Sequence, residues 1–206
     1  QVMSGRRAMH VLRLNGLPIF DQLRVEEWLL RNDARNWFVF NIGPKIPQVV
    51  LGYSGKVKEL VNTGATVRDD ITMIRRYTGG GTVVVDESTI FTSLLMNNTD
   101  AQTRPYPRDI MQWSLRIFGP VFENLVDIKP DSPPLFSLRE NDYVIGELKI
   151  GGNAQSIVKE RWCHHTSFLW DFNDKNMAYL QIPKRQPEYR EGRDHSEFLT
   201  KMKDHC

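Results

Sequence analysis

The sequence predicts an α+β domain with mixed or antiparallel sheets flanked by helices, and three observations carry that expectation. Short runs rich in valine, isoleucine, phenylalanine and threonine recur along the 206 residues, most of them joined by brief turns containing glycine, proline or asparagine. Helical apolar periodicity is sustained only over 19–30 and 108–125. Strands and helices also fail to alternate as a regular parallel wrap requires.

Met9 to Leu14 reads as a first strand, ended by Asn15-Gly16 and Pro18. A core-packing helix follows over 19–30, with Ile19, Leu23, Trp28, Leu29 and Leu30 as its apolar stripe and Glu26, Glu27 and Arg31 on the wetter side. Trp37–Ile42 and Gln48–Tyr53 are two strands separated by Gly43-Pro44-Lys45-Ile46-Pro47. Lys56 to Val61 is a short helix, Ile71 to Arg75 a strand entering a glycine loop, Thr82 to Val85 the strand leaving it, and Thr89 to Met96 a further β-type run. The helix over 108–125 is expected to break or kink at Gly119-Pro120, because proline lacks the amide hydrogen and clashes with the preceding turn. Asp127 to Pro134 reads as a mobile Pro-rich connection. A hairpin around Gly146-Glu147, strands over 154–158 and 166–170, and a terminal helix over 196–203 complete the reading.

The bulk numbers narrow the function classes. One domain is expected over 1–206, and 27 basic against 25 acidic residues leave a net charge of only +2, which points away from a general nucleic-acid binder. No apolar run approaches the ~18 residues needed to cross a bilayer, so no membrane partner is expected. Cys163 and Cys206 are too few for a disulfide framework and favour a reducing compartment: cytoplasm, mitochondrion or plastid. The first ten residues carry Arg6 and Arg7 without a secretory apolar stretch, and the missing initiator Met leaves room for a trimmed start.

Arg75-Arg76-Tyr77-Thr78-Gly79-Gly80-Gly81-Thr82 is the most informative stretch. Glycines allow positive φ and close approach, and guanidiniums offer forked recognition of carboxylate or phosphate, so the stretch reads as a small-anion loop. A long hairpin turn with solvated arginines is the plain alternative. No Gly-Lys-Ser/Thr follows the glycines, and valines open a strand rather than a helix, which excludes both a Walker A loop and a dinucleotide fingerprint.

The second constellation is Asn141-Asp142 followed by Lys149-Ile150-Gly151-Gly152-Asn153-Ala154-Gln155. A lysine among apolar neighbours needs an anion or carbonyl partner, or it loses its charge. The plain alternative is an edge-strand lysine that discourages aggregation. Arg161-Trp162-Cys163-His164-His165 suggests metal only weakly, because adjacent strand residues point to opposite faces and no second Cys/His cluster lies at ligand spacing. One of the two histidines is expected to face the site floor and the other solvent.

Taken in order, these motifs resemble the biotin/lipoate A/B protein ligase family, on its lipoate-ligase A branch. The resemblance spans about 75–170 and implies a catalytic domain of the class II aminoacyl-tRNA-synthetase/biotin-ligase type. It implies activation of lipoate or a related medium-chain acid with ATP and Mg²⁺, passage through lipoyl-AMP, no bound redox cofactor, and acyl transfer to a carrier lysine. Lys149 is then catalytic. Arg75, Arg76, Gly79, Gly80, Gly81, Thr82, Gly152, Asn153, Ala154, Gln155 and His165 bind substrate or adenylate, with Asn153 and Gln155 on the adenosine or bracing Lys149, and Asp142 is a candidate Mg²⁺ ligand. The implied partners are lipoyl domains of 2-oxoacid dehydrogenases and the glycine-cleavage H protein, with a separate accessory protein in place of the family's C-terminal accessory domain.

The chain departs from the family pattern at two positions. Val85 stands where a histidine usually precedes the aspartate after the glycine loop, and Thr166 where a glycine follows the histidine pair. Two alternatives follow: an ATP-independent octanoyl/lipoyl transferase using Cys163 as nucleophile, and a non-catalytic protein that binds lipoyl domains or lipoyl-adenylate.

Overall fold

The computed structural model describes residues 8–125 and 136–206; the Pro-rich connection over 127–134 lies outside the described residues. Among the described residues ten strands form two sheets: β1 (Met9–Arg13), β2 (Asn36–Ile42), β3 (Gln48–Leu51), β4 (Thr72–Arg75), β5 (Val83–Val85), β6 (Thr89–Asn97), β7 (Phe136–Arg139), β8 (Asp142–Ile145), β9 (Leu148–Ile157) and β10 (Arg161–Leu169). The larger sheet runs β1-β2-β6-β10-β9-β8-β7, and the smaller runs β4-β3-β5. Both are mixed, since β1 pairs parallel with β2 and β3 parallel with β4 while the other pairings are antiparallel.

The larger sheet is covered by two helices. Helix α1 (Ile19–Asn32) uses Leu29 and Leu30 to pack with Val39, Leu95 and Cys163, while Ile19 and Leu23 join Val50, Ile74, Val85 and Phe91 and so tie the two sheets together. Shorter helices α2 (Val57–Leu60), α3 (Thr63–Arg68) and α4 (Asn98–Ala101) occupy the connections. On the opposite face lies α5 (Pro107–Leu125), whose Phe118 meets Tyr143 and Phe168 edge-on at 5.7 and 5.3 Å between ring centres. Such aromatic contacts add directionality to the area they bury.

Several expectations are corrected. Helix α5 continues through Gly119-Pro120; the carbonyl freed four residues earlier belongs to exposed Arg116, where water can satisfy it. Trp28 is exposed and Glu26 is fully buried, because Ile19, Leu23, Glu26 and Leu30 share one helical stripe. The strands expected over 148–150 and 154–158 are one continuous β9, and β10 begins earlier, at Arg161. The terminal segment forms α6 (Asp174–Met177), α7 (His195–Phe198) and two 3₁₀ turns instead of a helix over 196–203; Asp194 and Glu197 close a capping box on α7.

Candidate functional site

Lys149 is not an edge-strand lysine, since β9 lies between β8 and β10. Its Nζ sits 2.8 Å from Asp142 Oδ1, and the Tyr189 hydroxyl donates to Asp142 Oδ2 at 2.9 Å. Burial and the Asp142 charge push the Tyr189 hydroxyl far above its ordinary range, so it remains a donor. The backbone of Lys149 is also held, its carbonyl accepting from the Thr200 amide at 3.0 Å. A register shift between Tyr143 and Val144 brings the ammonium beside Gly152, where an added Cβ would lie 3.5 Å from Nζ. With both Asp142 oxygens engaged by protein groups, Mg²⁺ at Asp142 would have to share them.

The glycine loop meets the same sheet face. Gly80 has φ +97°, and a Cβ there would fall 2.7 Å from Arg76 Nη2 and 3.6 Å from Ala154 Cβ. Small residues at 152 and 154 therefore let the loop rest on β9. Thr82 follows the glycines with its hydroxyl buried and without a partner among the described residues. The amides of Gly79, Gly80 and Gly81 donate no hydrogen bond among the described residues, which leaves them available to an anion.

Neither arginine forks onto a side-chain anion. Arg75 Nη1 instead donates to the carbonyls of Gly52, Tyr53 and Gly55, at 3.1, 2.9 and 2.7 Å, and holds that turn. Buried Arg76 donates to the carbonyls of Gly79 and Gly81, and burial lowers its pKa to about 10. A cleft of about 270 Å³ opens between the loop and α1, lined by Phe20, Leu23, Arg24, Tyr53, Arg75 and Tyr77. Lys149 lies outside its lining.

Asn153 and Gln155 do not brace Lys149; both amides point to the α5 face. Asn153 donates to the Asn141 carbonyl at 3.0 Å and accepts from Thr166 Oγ1 at 2.6 Å, while Gln155 donates to the Pro107 carbonyl and lies 3.2 Å from His164 Nδ1. Thr166, the departure from the family pattern, thus anchors Asn153. Val85 is fully buried among Ile19, Leu23, Val50 and Ile74, so an apolar contact occupies the position at which the family pattern has histidine.

The histidines divide between faces, and neither is solvated. His165 shares its face with the glycine loop: Nδ1 donates to Glu26 Oε2 at 3.0 Å and Nε2 lies 3.1 Å from Thr78 Oγ1. Glu26 Oε1 accepts from Ser93 Oγ at 2.6 Å and Gln22 Nε2 at 2.7 Å. Burial alone would raise the Glu26 pKa, but the bond and charge of His165 with those two donors outweigh it and hold the carboxylate below its usual value. Cys163 is buried on this same face, and burial followed by the Glu26 charge pushes its thiol well above the ordinary value, which suppresses the thiolate a nucleophile needs. Sequence reasoning missed Glu26, Thr78 and Tyr189; the helical stripe would have flagged only Glu26.

His164 faces α5, near Gln155, Thr166 and Tyr143. Burial, followed by the charge of His165, lowers its pKa to about 3. The folded state therefore holds it neutral, while the unfolded chain titrates near 6.5. Its stabilising contribution is complete above about pH 6.5 and is lost as pH falls toward 3, by at most about 1.4 kcal/mol per pH unit. Urea midpoints at successive pH values should fall along this window in the native protein and flatten in His164→Gln; parallel profiles would refute the assignment.

Residues 18–206 match the family described as lipoyl protein ligase A/B catalytic domain. A Plasmodium falciparum (isolate 3D7) protein named inactive lipoate–protein ligase 2 is 31% identical over 181 residues, covering 75% of this chain and 47% of that protein. The structure of a bipartite archaeal lipoate protein ligase with its E2 lipoyl domain, from Thermoplasma acidophilum, superposes with TM-score 0.71 at 20% identity, covering 95% of this chain and 76% of that one. A lipoate-protein ligase A bound with ATP superposes with TM-score 0.64 at 22% identity, again over 95% and 76%. The chain spans about half the length of the curated relatives it matches.

Proposed function

Because the chain belongs to the lipoyl protein ligase A/B catalytic-domain family, we propose that it transfers a lipoyl or octanoyl group from an acyl-adenylate to a lysine of a lipoyl carrier domain. The observation that carries this reading is Lys149, held by Asp142 on the sheet face that also receives the glycine loop. In the transfer step the acceptor amine attacks the acyl carbonyl, a C–N bond forms, the bond from carbon to the phosphate oxygen breaks, and AMP departs while the amine releases a proton to solvent. The Lys149 ammonium supplies positive charge where the carbonyl oxygen becomes anionic. In this reading the free amides of the glycine loop receive the phosphate. Arg76 adds positive charge beside them, whereas Arg75 serves the neighbouring turn.

The ATP-bound neighbour supports ATP as the activating substrate. The bipartite archaeal ligase supports a carrier lipoyl domain and a separate accessory protein as partners. A second reading, binding of lipoyl-adenylate or lipoyl domains without catalysis, is favoured by buried Val85 and by the relative named inactive.

One experiment separates these readings. The protein is incubated with apo lipoyl domain and, in parallel, with lipoate and Mg-ATP, with preformed lipoyl-AMP, or with octanoyl carrier protein without ATP. Acceptor mass should rise with lipoyl-AMP; gain with lipoate and ATP adds activation, and gain in neither arm leaves the binding role. The octanoyl arm is expected to be silent, with no acyl adduct on Cys163 by intact mass. An adduct there would overturn the case against the thioester route.

A further inference from the structure

The glycine-loop chemistry does not account for a buried cluster behind it. Glu26 of α1, together with Cys163 and His165 of β10, presents a carboxylate oxygen, a sulfur and a ring nitrogen, all within 4.8 Å of one another. Cys163 and His165 are two residues apart on one strand and so share a face, and α1 crosses that face with Glu26 inward. We propose that this cluster binds one Zn²⁺ ion, as a site separate from the Lys149 chemistry.

The donor set fits that ion. Mixed sulfur, nitrogen and oxygen ligands suit zinc, whereas Mg²⁺ and Ca²⁺ take oxygen. Zinc bonds of about 2.0–2.3 Å at tetrahedral angles put ligand atoms about 3.3–3.6 Å apart. Nδ1 of His165 and Oε2 of Glu26 are already 3.0 Å apart, so that pair widens by a few tenths of an ångström, while the sulfur closes by at most about 1.5 Å. Coordination leaves His165 a single proton, on Nε2, and releases the Cys163 thiol proton to solvent, so that the carboxylate and thiolate together balance the dication.

The surroundings already resemble an outer ligand shell. Ser93 and Gln22 hold the other Glu26 oxygen, and Asn41 Nδ2 donates to Gln22 Oε1 at 2.8 Å. The remaining His165 proton would sit on Nε2 and be donated to Thr78 Oγ1, which is how metal-bound imidazoles are usually oriented. Tyr77 packs against the same cluster, with its hydroxyl buried and without a hydrogen-bond partner among the described residues. That hydroxyl, or a water, is the fourth ligand. The ion would thereby clamp α1 and β10 to Thr78, the residue that opens the glycine loop.

The test uses the intact chain, stripped with chelator and titrated with Co²⁺ as a spectroscopic stand-in for Zn²⁺, with no substrate present. One ion per chain should bind, giving tetrahedral visible bands and a thiolate-to-cobalt charge-transfer band. Both should vanish in Cys163→Ser and Glu26→Gln and persist in Cys206→Ser, which controls for the exposed terminal thiol. Zn²⁺ should raise the melting temperature of the native protein and not that of Cys163→Ser. Absence of the charge-transfer band, its survival in Cys163→Ser, or its loss in Cys206→Ser would overturn the site. These readouts are independent of acyl transfer, so failure of either reading is visible by itself.

Discussion

Lys149→Ala is expected to lower acyl transfer from lipoyl-AMP by about a hundred- to a thousandfold, the scale on which loss of one preorganised oxyanion partner is felt. The reason is geometric: Asp142 Oδ1 fixes the ammonium at 2.8 Å, Tyr189 fixes Asp142, and the Thr200 amide fixes the strand, so the charge is set before substrate arrives. An exposed lysine would have to be ordered in the transition state. Stability should change little by comparison, because the pair is partly solvated and Tyr189 still serves Asp142 after the substitution; partly exposed ion pairs contribute about 1 kcal/mol or less. Single-turnover transfer and a urea unfolding curve on the same preparation check both halves. Native-like transfer by a folded variant would remove Lys149 from the mechanism.

Gly52→Ala is expected to have a large effect on the fold around the glycine loop. A Cβ at Gly52 would fall on the Gly80 carbonyl oxygen, deep inside van der Waals contact and against backbone that cannot rotate away. The same turn is tied to the loop by the Tyr53 amide, which donates to the Thr78 carbonyl at 2.9 Å, and by Arg75. Overpacking typically costs about 1–3 kcal/mol, and more where backbone cannot give, and here the strain is delivered directly to the loop proposed to face the anion. Gly79→Ala and Gly81→Ala provide the contrast: neither glycine has positive φ, and a Cβ at either meets nothing within 4 Å. The urea midpoint should drop in Gly52→Ala and stay near native in the other two. Equal losses in all three would show that general loop stiffness, rather than the contact of Gly52 with Gly80, sets the stability.

Much of the fold was legible because local chemistry marks its own boundaries. The stripe of α1, the turn at Gly146 and the valine run after the glycines each declare an element within a few residues. Errors arose where tertiary packing outweighed a local rule. The proline in α5 is tolerated because its freed carbonyl reaches water, and β9 stays continuous because β8 supplies ladder partners up to Gly152 and β10 takes over from Gly151 onward. The site was read less completely. Lys149, the glycine loop and the histidine pair stand out as residues, but their partners do not: Asp142 reaches Tyr189 across 47 positions and His165 reaches Glu26 across 139.

By itself the sequence determined the α+β class and the family and singled out the residues proposed to bear the chemistry, since strand period, turn residues and motif spacing are local properties. Only the tertiary structure decided that Arg75 and Arg76 bind loop carbonyls, that Asp142 holds Lys149, that His164 and His165 part company, and that Glu26 turns inward to meet Cys163. Side-chain periodicity states which face of an element a residue occupies. What lies across that face depends on which distant elements pack there, and that is set by burial of the whole core.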